Sequence, residues 1–111
     1  MVDLEAKAFA KAVKKGVKIA LGTDAGGFAW SENEAKELGY MVKYGMTPMQ
    51  AIQSATFVAA QLLDASTDIG SIERGHYADI IAVRDNPLED VSRLEHVGFV
   101  MKGGRVVKNQ L

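Results

Sequence analysis

The sequence predicts an α/β chain whose second half is β. Three observations predict it. A helical repeat closed by glycine runs straight into a short apolar stretch, two more capped helical repeats follow, and beyond about residue 68 the texture turns to short β runs punctuated by glycine and Asn-Pro.

The first helix is expected from Asp3, with Leu4, Ala8, Phe9, Ala12 and Val13 at helical spacing. Lys14 and Lys15 suit the negative end of its dipole, and Gly16 supplies the stop. Val17, Lys18, Ile19, Ala20 and Leu21 then read as a strand buried in a parallel sheet, being short, apolar and partly β-branched. A glycine-bearing loop spans 22–30, after which Ser31 with Glu34 forms a capping box for a helix whose Ala35, Leu38, Met41, Val42 and Gly45 share one face. Thr47 with Gln50 makes a second capping box, with Pro48 at the first helical position. The helix it opens should turn Ala51, Ile52, Ala55, Val58, Ala59, Leu62 and Leu63 inward. Strands are expected over 79–83, 96–101 and 105–108, the last two forming a hairpin about Gly103-Gly104, a pair that tolerates the positive φ of tight primed turns. The boundary falls between 66 and 71, giving a helical piece over 1–67 and a β piece over 68–111.

At 111 residues the chain is short for an enzyme that needs a whole barrel. A hydrophobic content of 48% with 24% charged residues is ordinary for a globular chain and argues against disorder. A net charge of −1 without a basic stripe makes nucleic acid an unexpected partner. With no cysteine there is no disulfide or thiolate chemistry, so any metal must be held by oxygen and nitrogen. No apolar run approaches bilayer length and the first residues hold no signal-peptide core, so no membrane is expected and a soluble, cytoplasmic protein is.

Reactive groups of parallel sheets gather at the carboxyl ends of the strands, and Asp24 sits at such an end. A carboxylate there calls for a cation, a hydrogen bond or a partner charge, which marks Asp24 as a candidate metal ligand or general base. On position alone, an Asp that caps a turn or the next helix is an equally good reading. Gly22, Gly26 and Gly27 match neither the dinucleotide fingerprint nor a P-loop, and Phe28 and Trp30 suit either a substrate pocket or plain packing of the loop. His76 and His96 keep no short ligand spacing to Asp24 or to each other, while Glu32, Glu34 and Glu37 read as a solvent face and cap.

Residues 16–27, reading GVKIALGTDAGG, resemble the eighth strand and following loop of the amidohydrolase superfamily. The later strings AKEL at 35–38, GMTPMQAIQSAT at 45–56, GSIERGHYADII at 70–81 and MKGGRVV at 101–107 resemble the same family in the same order. The nearest branch is that of the imidazolonepropionase-related prolidases and carboxypeptidases. The resemblance implies the C-terminal part of a metal-dependent (β/α)8 barrel hydrolase. Residues 1–67 would give the last strand and its helices, and 68–111 would give strands of a small composite β-sandwich. It implies hydrolysis of C–N bonds in acyl-amino acids or dipeptides by a metal-activated water, with zinc as the expected ion. Asp24 would be ligand and proton acceptor, and Gly26, Gly27 and Trp30 would be candidate substrate contacts.

The family's His-x-His pair, its carboxylated lysine and its two later histidines would all precede this chain, and nothing in it replaces them. The chain alone is therefore expected to be inactive, not to retain metal, and to form homo-oligomers through unpaired edges. The alternatives are a non-catalytic oligomerisation or interaction module and, more weakly, an anion-binding domain using the glycine loop.

Overall fold

A computed structural model describes residues 3–26 and 31–111 of the chain. Four helices come first: α1 (Asp3–Lys14), α2 (Lys36–Lys43), α3 (Pro48–Ala55) and α4 (Phe57–Leu62). Three short strands follow, β1 (Ile80–Ala82), β2 (Phe99–Lys102) and β3 (Arg105–Asn109), with a 3-10 helix (Val91–Glu95) between the first two.

Helix α1 ends where its sequence says it should. Gly16 takes φ 74°, the Val17 N–H donates to the Ala12 carbonyl at 3.1 Å, and the Gly16 N–H donates to that of Val13 at 3.0 Å. That is a Schellman stop. The chain then continues through 17–24 without regular secondary structure. Here the structure departs from the expected buried strand: no strand among the described residues pairs with 17–21, and Val17 and Lys18 are exposed. A strand needs a ladder partner, and this segment has none among the described residues. It is still anchored on one face, because Ile19 and Leu21 pack against the core and the Leu21 N–H donates to the Ser54 carbonyl at 2.9 Å.

The Thr47 box forms as expected. Its hydroxyl accepts from the Gln50 N–H at 3.1 Å, and the Gln50 side chain accepts from the Thr47 N–H at 2.9 Å. The Ser31–Glu34 box does not form. Asn33 intervenes two residues later, its Oδ1 accepting from the Ala35 N–H at 3.1 Å, and α2 begins at Lys36. One amide side chain closing a tight Asx turn removes the need for the wider box.

A single helix over 48–63 is also corrected. At Thr56 the backbone turns to φ −123°, ψ −89° while the Thr56 hydroxyl donates to the Ile52 carbonyl at 2.8 Å. The break resets the helical phase. Ala51, Ser54 and Ala60 become the buried positions, while Ala55, Leu62 and Leu63, expected inward, are exposed. Helix α4 then stops on Asp64, a non-glycine residue at φ 54°.

The sheet is antiparallel in the order β1-β2-β3. Gly103 and Gly104, at φ 56° and 81°, make the primed turn the sequence announces. Lys102 pairs with Arg105 and Met101 with Val106, and then Val107 is left over as a bulge before Val100 meets Lys108. The hairpin tip is tied down by Asp79, whose Oδ1 accepts from the Gly103 N–H at 2.7 Å and whose Oδ2 accepts from Lys102 Nζ at 3.1 Å. Residues 96–98, expected as strand, precede β2 instead, because Asp90 nucleates the 3-10 helix by accepting from the Ser92 N–H at 3.0 Å.

The core is small. Leu38, Met41, Met46 and Ala51 pack with Val91, which reaches in from the 3-10 helix, and Phe9, Val13, Ile19, Leu21, Ile52 and Leu94 close around them. Helical and β pieces therefore share one apolar cluster.

Candidate functional site

Asp24 lies three residues beyond Leu21, the last packed residue of segment 17–22. Leu21 is fixed by Ser54, itself buried and donating through Oγ to the Ala51 carbonyl at 2.6 Å. Thr23 donates through Oγ1 to Glu34 Oε2 over a long 3.5 Å. The chain therefore enters Asp24 from two attached residues. Asp24 itself is exposed and takes φ 52°, one of two non-glycine residues among those described with positive φ. That conformation costs an L-residue about 1–2 kcal/mol, somewhat less for Asp, and such outliers gather at functional sites.

The next helix starts at Lys36, far down the chain, and the turn that enters it is closed by Asn33 accepting from the Ala35 N–H. Among the described residues Asp24 makes no hydrogen bond or ion pair, so it caps nothing there. A strained, exposed carboxylate without a partner among the described residues fits one member of a site better than it fits a structural cap.

A hollow of about 230 Å³ beside this segment is lined by Thr23, Glu32, Asn33, Glu34, Lys36, Glu37 and Tyr40; Asp24 itself is not part of its lining. Gly26 lies in the turn after Asp24 at φ 122° with open space where a side chain would be. Gly27 and Trp30, together with Phe28, lie outside the described residues.

Neither histidine joins Asp24. His76, its side chain only 10% exposed, sits with its Nδ1 3.3 Å from Ser71 Oγ and its Nε2 3.8 Å from Glu73 Oε2, while Ser71 also donates to Glu73. His96 terminates the 3-10 helix. Among the described residues no three His, Cys, Asp or Glu side chains converge as metal ligands. A lone carboxylate supplies at most two of the four or more donors that a divalent ion needs. The donor set in this chain does not by itself fit a metal centre, and no catalytic step is derived through one.

One residue that the sequence reading passed over is Asn33. Its Oδ1 caps the turn into α2, and its Nδ2 donates to the Glu95 carbonyl at 2.9 Å, across 62 positions of chain. The available signal was a cap-competent Asn inside Ser31-Glu32-Asn33-Glu34, hidden by the apparent Ser–Glu box.

Comparison with known proteins covers almost the entire chain. The profile of the Amidohydrolase family matches residues 2–107. Ochratoxinase of Aspergillus niger is 39% identical over 113 aligned positions, which take in 97% of this chain and 23% of ochratoxinase. Imidazolonepropionase of Thermoanaerobacter pseudethanolicus is 33% identical over 91 positions, 80% of this chain and 20% of the enzyme. Among solved structures, a Xaa-Pro dipeptidase with methionine bound in its active site superposes with a TM-score of 0.88 at 50% identity, over 94% of this chain and 25% of the dipeptidase. The chain spans about a quarter of the length of the proteins it matches.

Proposed function

The chain belongs to the amidohydrolase family, and from that premise we propose that it is the C-terminal part of a metal-dependent hydrolase of C–N bonds in acyl-amino acids or dipeptides. The single observation that carries the reading is Asp24, held at φ 52° beyond an anchored segment and left without an internal partner among the described residues. The similarity to a Xaa-Pro dipeptidase at 50% identity supports the dipeptide end of that substrate range. In this reading Asp24 is one ligand of a divalent ion, zinc by expectation, and accepts a proton from the attacking water. The remaining ligands lie in the part of the parent that this chain does not include. Gly26, Gly27 and Trp30 belong to the substrate-facing loop, and the isolated chain is inactive.

The test is a chimera in which this chain replaces the matching quarter of the Xaa-Pro dipeptidase. Hydrolysis of Xaa-Pro dipeptides by the chimera is expected, and Asp24→Ala should lower kcat by a factor of about 100–10,000, the usual worth of a positioned proton acceptor. A folded chimera indifferent to Asp24→Ala would overturn the assignment. Turnover by the isolated 111 residues with zinc, lost on Asp24→Ala, would overturn the claim that the chain alone is inactive.

A second reading, a non-catalytic module that packs against copies of itself, is favoured by one observation. Leu4, Ile72, Leu62 and Leu63 are 78%, 80%, 76% and 70% exposed. Large apolar side chains left in water favour association. Light scattering at micromolar concentration checks it, and a monodisperse monomer would count against it.

A further inference from the structure

Asn33 ties the entry of α2 to the 3-10 helix, 62 positions on in the sequence. Its Nδ2 donates to the Glu95 carbonyl at the end of the 3-10 helix, and its Oδ1 fixes the entry to α2 through the Ala35 N–H. Both ends of one amide are thereby used, which fixes the side chain's orientation. The 3-10 helix is in turn rooted in the core by Val91, packed with Leu38 and Met41 of α2. The residue after Asn33 is Glu34, whose carboxylate accepts from the Thr23 hydroxyl, and the residue after Thr23 is Asp24.

We infer that Asn33 is a positioning residue for Asp24, holding it through Glu34 and Thr23 against Glu95 of the C-terminal segment. The inference rests on the reading of Asp24 as the site carboxylate. It gives the 3-10 helix, which carries no catalytic group, a role in the site. A strained conformer persists only while its surroundings over-determine it. Leu21 is fixed from Ser54, and among the described residues Thr23–Glu34–Asn33–Glu95 is a second attachment just before Asp24. Without it, two free residues after Leu21 would let Asp24 relax.

NMR on the 111-residue chain tests this without measuring activity. Asn33→Asp keeps the oxygen that accepts from the Ala35 N–H and removes the donor to Glu95. Thr23→Val removes the hydroxyl at nearly constant shape, and Thr23→Ser returns it. The expected result is that Asn33→Asp and Thr23→Val each lower the 15N order parameter of Asp24 from the rigid range near 0.85 to below about 0.6, while β1, β2 and β3 stay rigid. Thr23→Ser should stay near the parent value. The double variant should be no looser at Asp24 than the looser single variant, because both cut one chain of contacts.

Unchanged order at Asp24 in Thr23→Val, or effects of the two substitutions that add, would overturn the inference. If Asn33→Asp fails to fold, the Thr23→Val and Thr23→Ser pair still decides it. An inactive chimera with the relay intact would defeat the functional reading alone, and an active chimera with an indifferent Asp24 backbone would defeat the relay alone.

Discussion

Gly70→Ala is the perturbation whose cost the structure states most directly. Gly70 opens the β piece at φ 94°, and a Cβ built there would lie 2.6 Å from Ala60 Cβ, 2.9 Å from the Thr56 carbonyl oxygen and 3.3 Å from Phe57 Cα. Two of these atoms are backbone, and Ala60, 2% exposed, has no rotamer with which to yield. The break between α3 and α4 at Thr56 creates the notch, and only a residue without Cβ enters it.

Gly75 is a built-in control, since it has φ 92° but nothing within 4 Å of its built Cβ. Both substitutions carry the positive-φ cost of about 1–2 kcal/mol, less about 0.4–1 kcal/mol from stiffening the unfolded chain. Only Gly70→Ala adds an overpacking cost of about 1–3 kcal/mol. Gly70→Ala should therefore lose about 2–4 kcal/mol and Gly75→Ala about 1 kcal/mol. At about 4–8 °C per kcal/mol for a domain of this size, the first should lower Tm by about 8–32 °C. Urea unfolding of both variants followed by circular dichroism gives the difference. Equal losses, within about 0.5 kcal/mol, would refute the close approach and with it the docking of the β piece on the α3–α4 notch.

Three further outcomes follow from local geometry. Thr47→Ala removes the hydroxyl half of the capping box and should cost about 1 kcal/mol in the same urea assay, with Thr47→Ser close to neutral. Asp79 has its carboxyl held below the usual range, first by the Gly103 N–H and then by Lys102. A depressed folded-state pKa contributes stability that is present above the unfolded value of about 4 and lost as pH falls through the lower folded value. Asp79→Asn should therefore flatten the acid limb of a stability-against-pH curve below about pH 4, and an unaltered limb would remove Asp79 from the account. Replacing Leu62 and Leu63 together by lysine should shift light-scattering mass toward the monomer while leaving the α3 core intact, because both side chains are exposed.

What could be read from the sequence was whatever local chemistry dictates. Thr47-Pro48 with Gln50 specifies a helix start by itself, and Gly16 a stop. Gly103-Gly104 likewise specifies a hairpin turn, and all three formed. Where two local solutions competed, the sequence did not decide. Ser31-Glu32-Asn33-Glu34 offers a box and an Asx turn, and a tertiary partner, the Glu95 carbonyl, selected the Asn. The helical stripe over 51–63 held at Ala51 and Ile52 but not at Ala55, and beyond Thr56, where a hydroxyl bonds back to Ile52 and the helix breaks, Leu62 and Leu63 face outward. The segment at 17–21 reads as a buried strand because its composition answers to neighbours on both sides, and only one side, the face of Ile19 and Leu21, is met within this chain.

The same reasoning separates the parts of the candidate site. The residue type and chain position of Asp24 come from the end of an apolar run, so they were visible at once. Its φ of 52° could not be, because a left-handed Asp needs support from residues far along the chain. That support comes from Ser54 through Leu21 on one side and from Glu95 through Asn33, Glu34 and Thr23 on the other. A carboxylate placed by contacts 30 and 71 positions away is a property of the folded assembly of helices and 3-10 helix, counted as 54 − 24 and 95 − 24. This is why a truncation removing the β piece should loosen Asp24 even though every residue from 3 to 26 would remain.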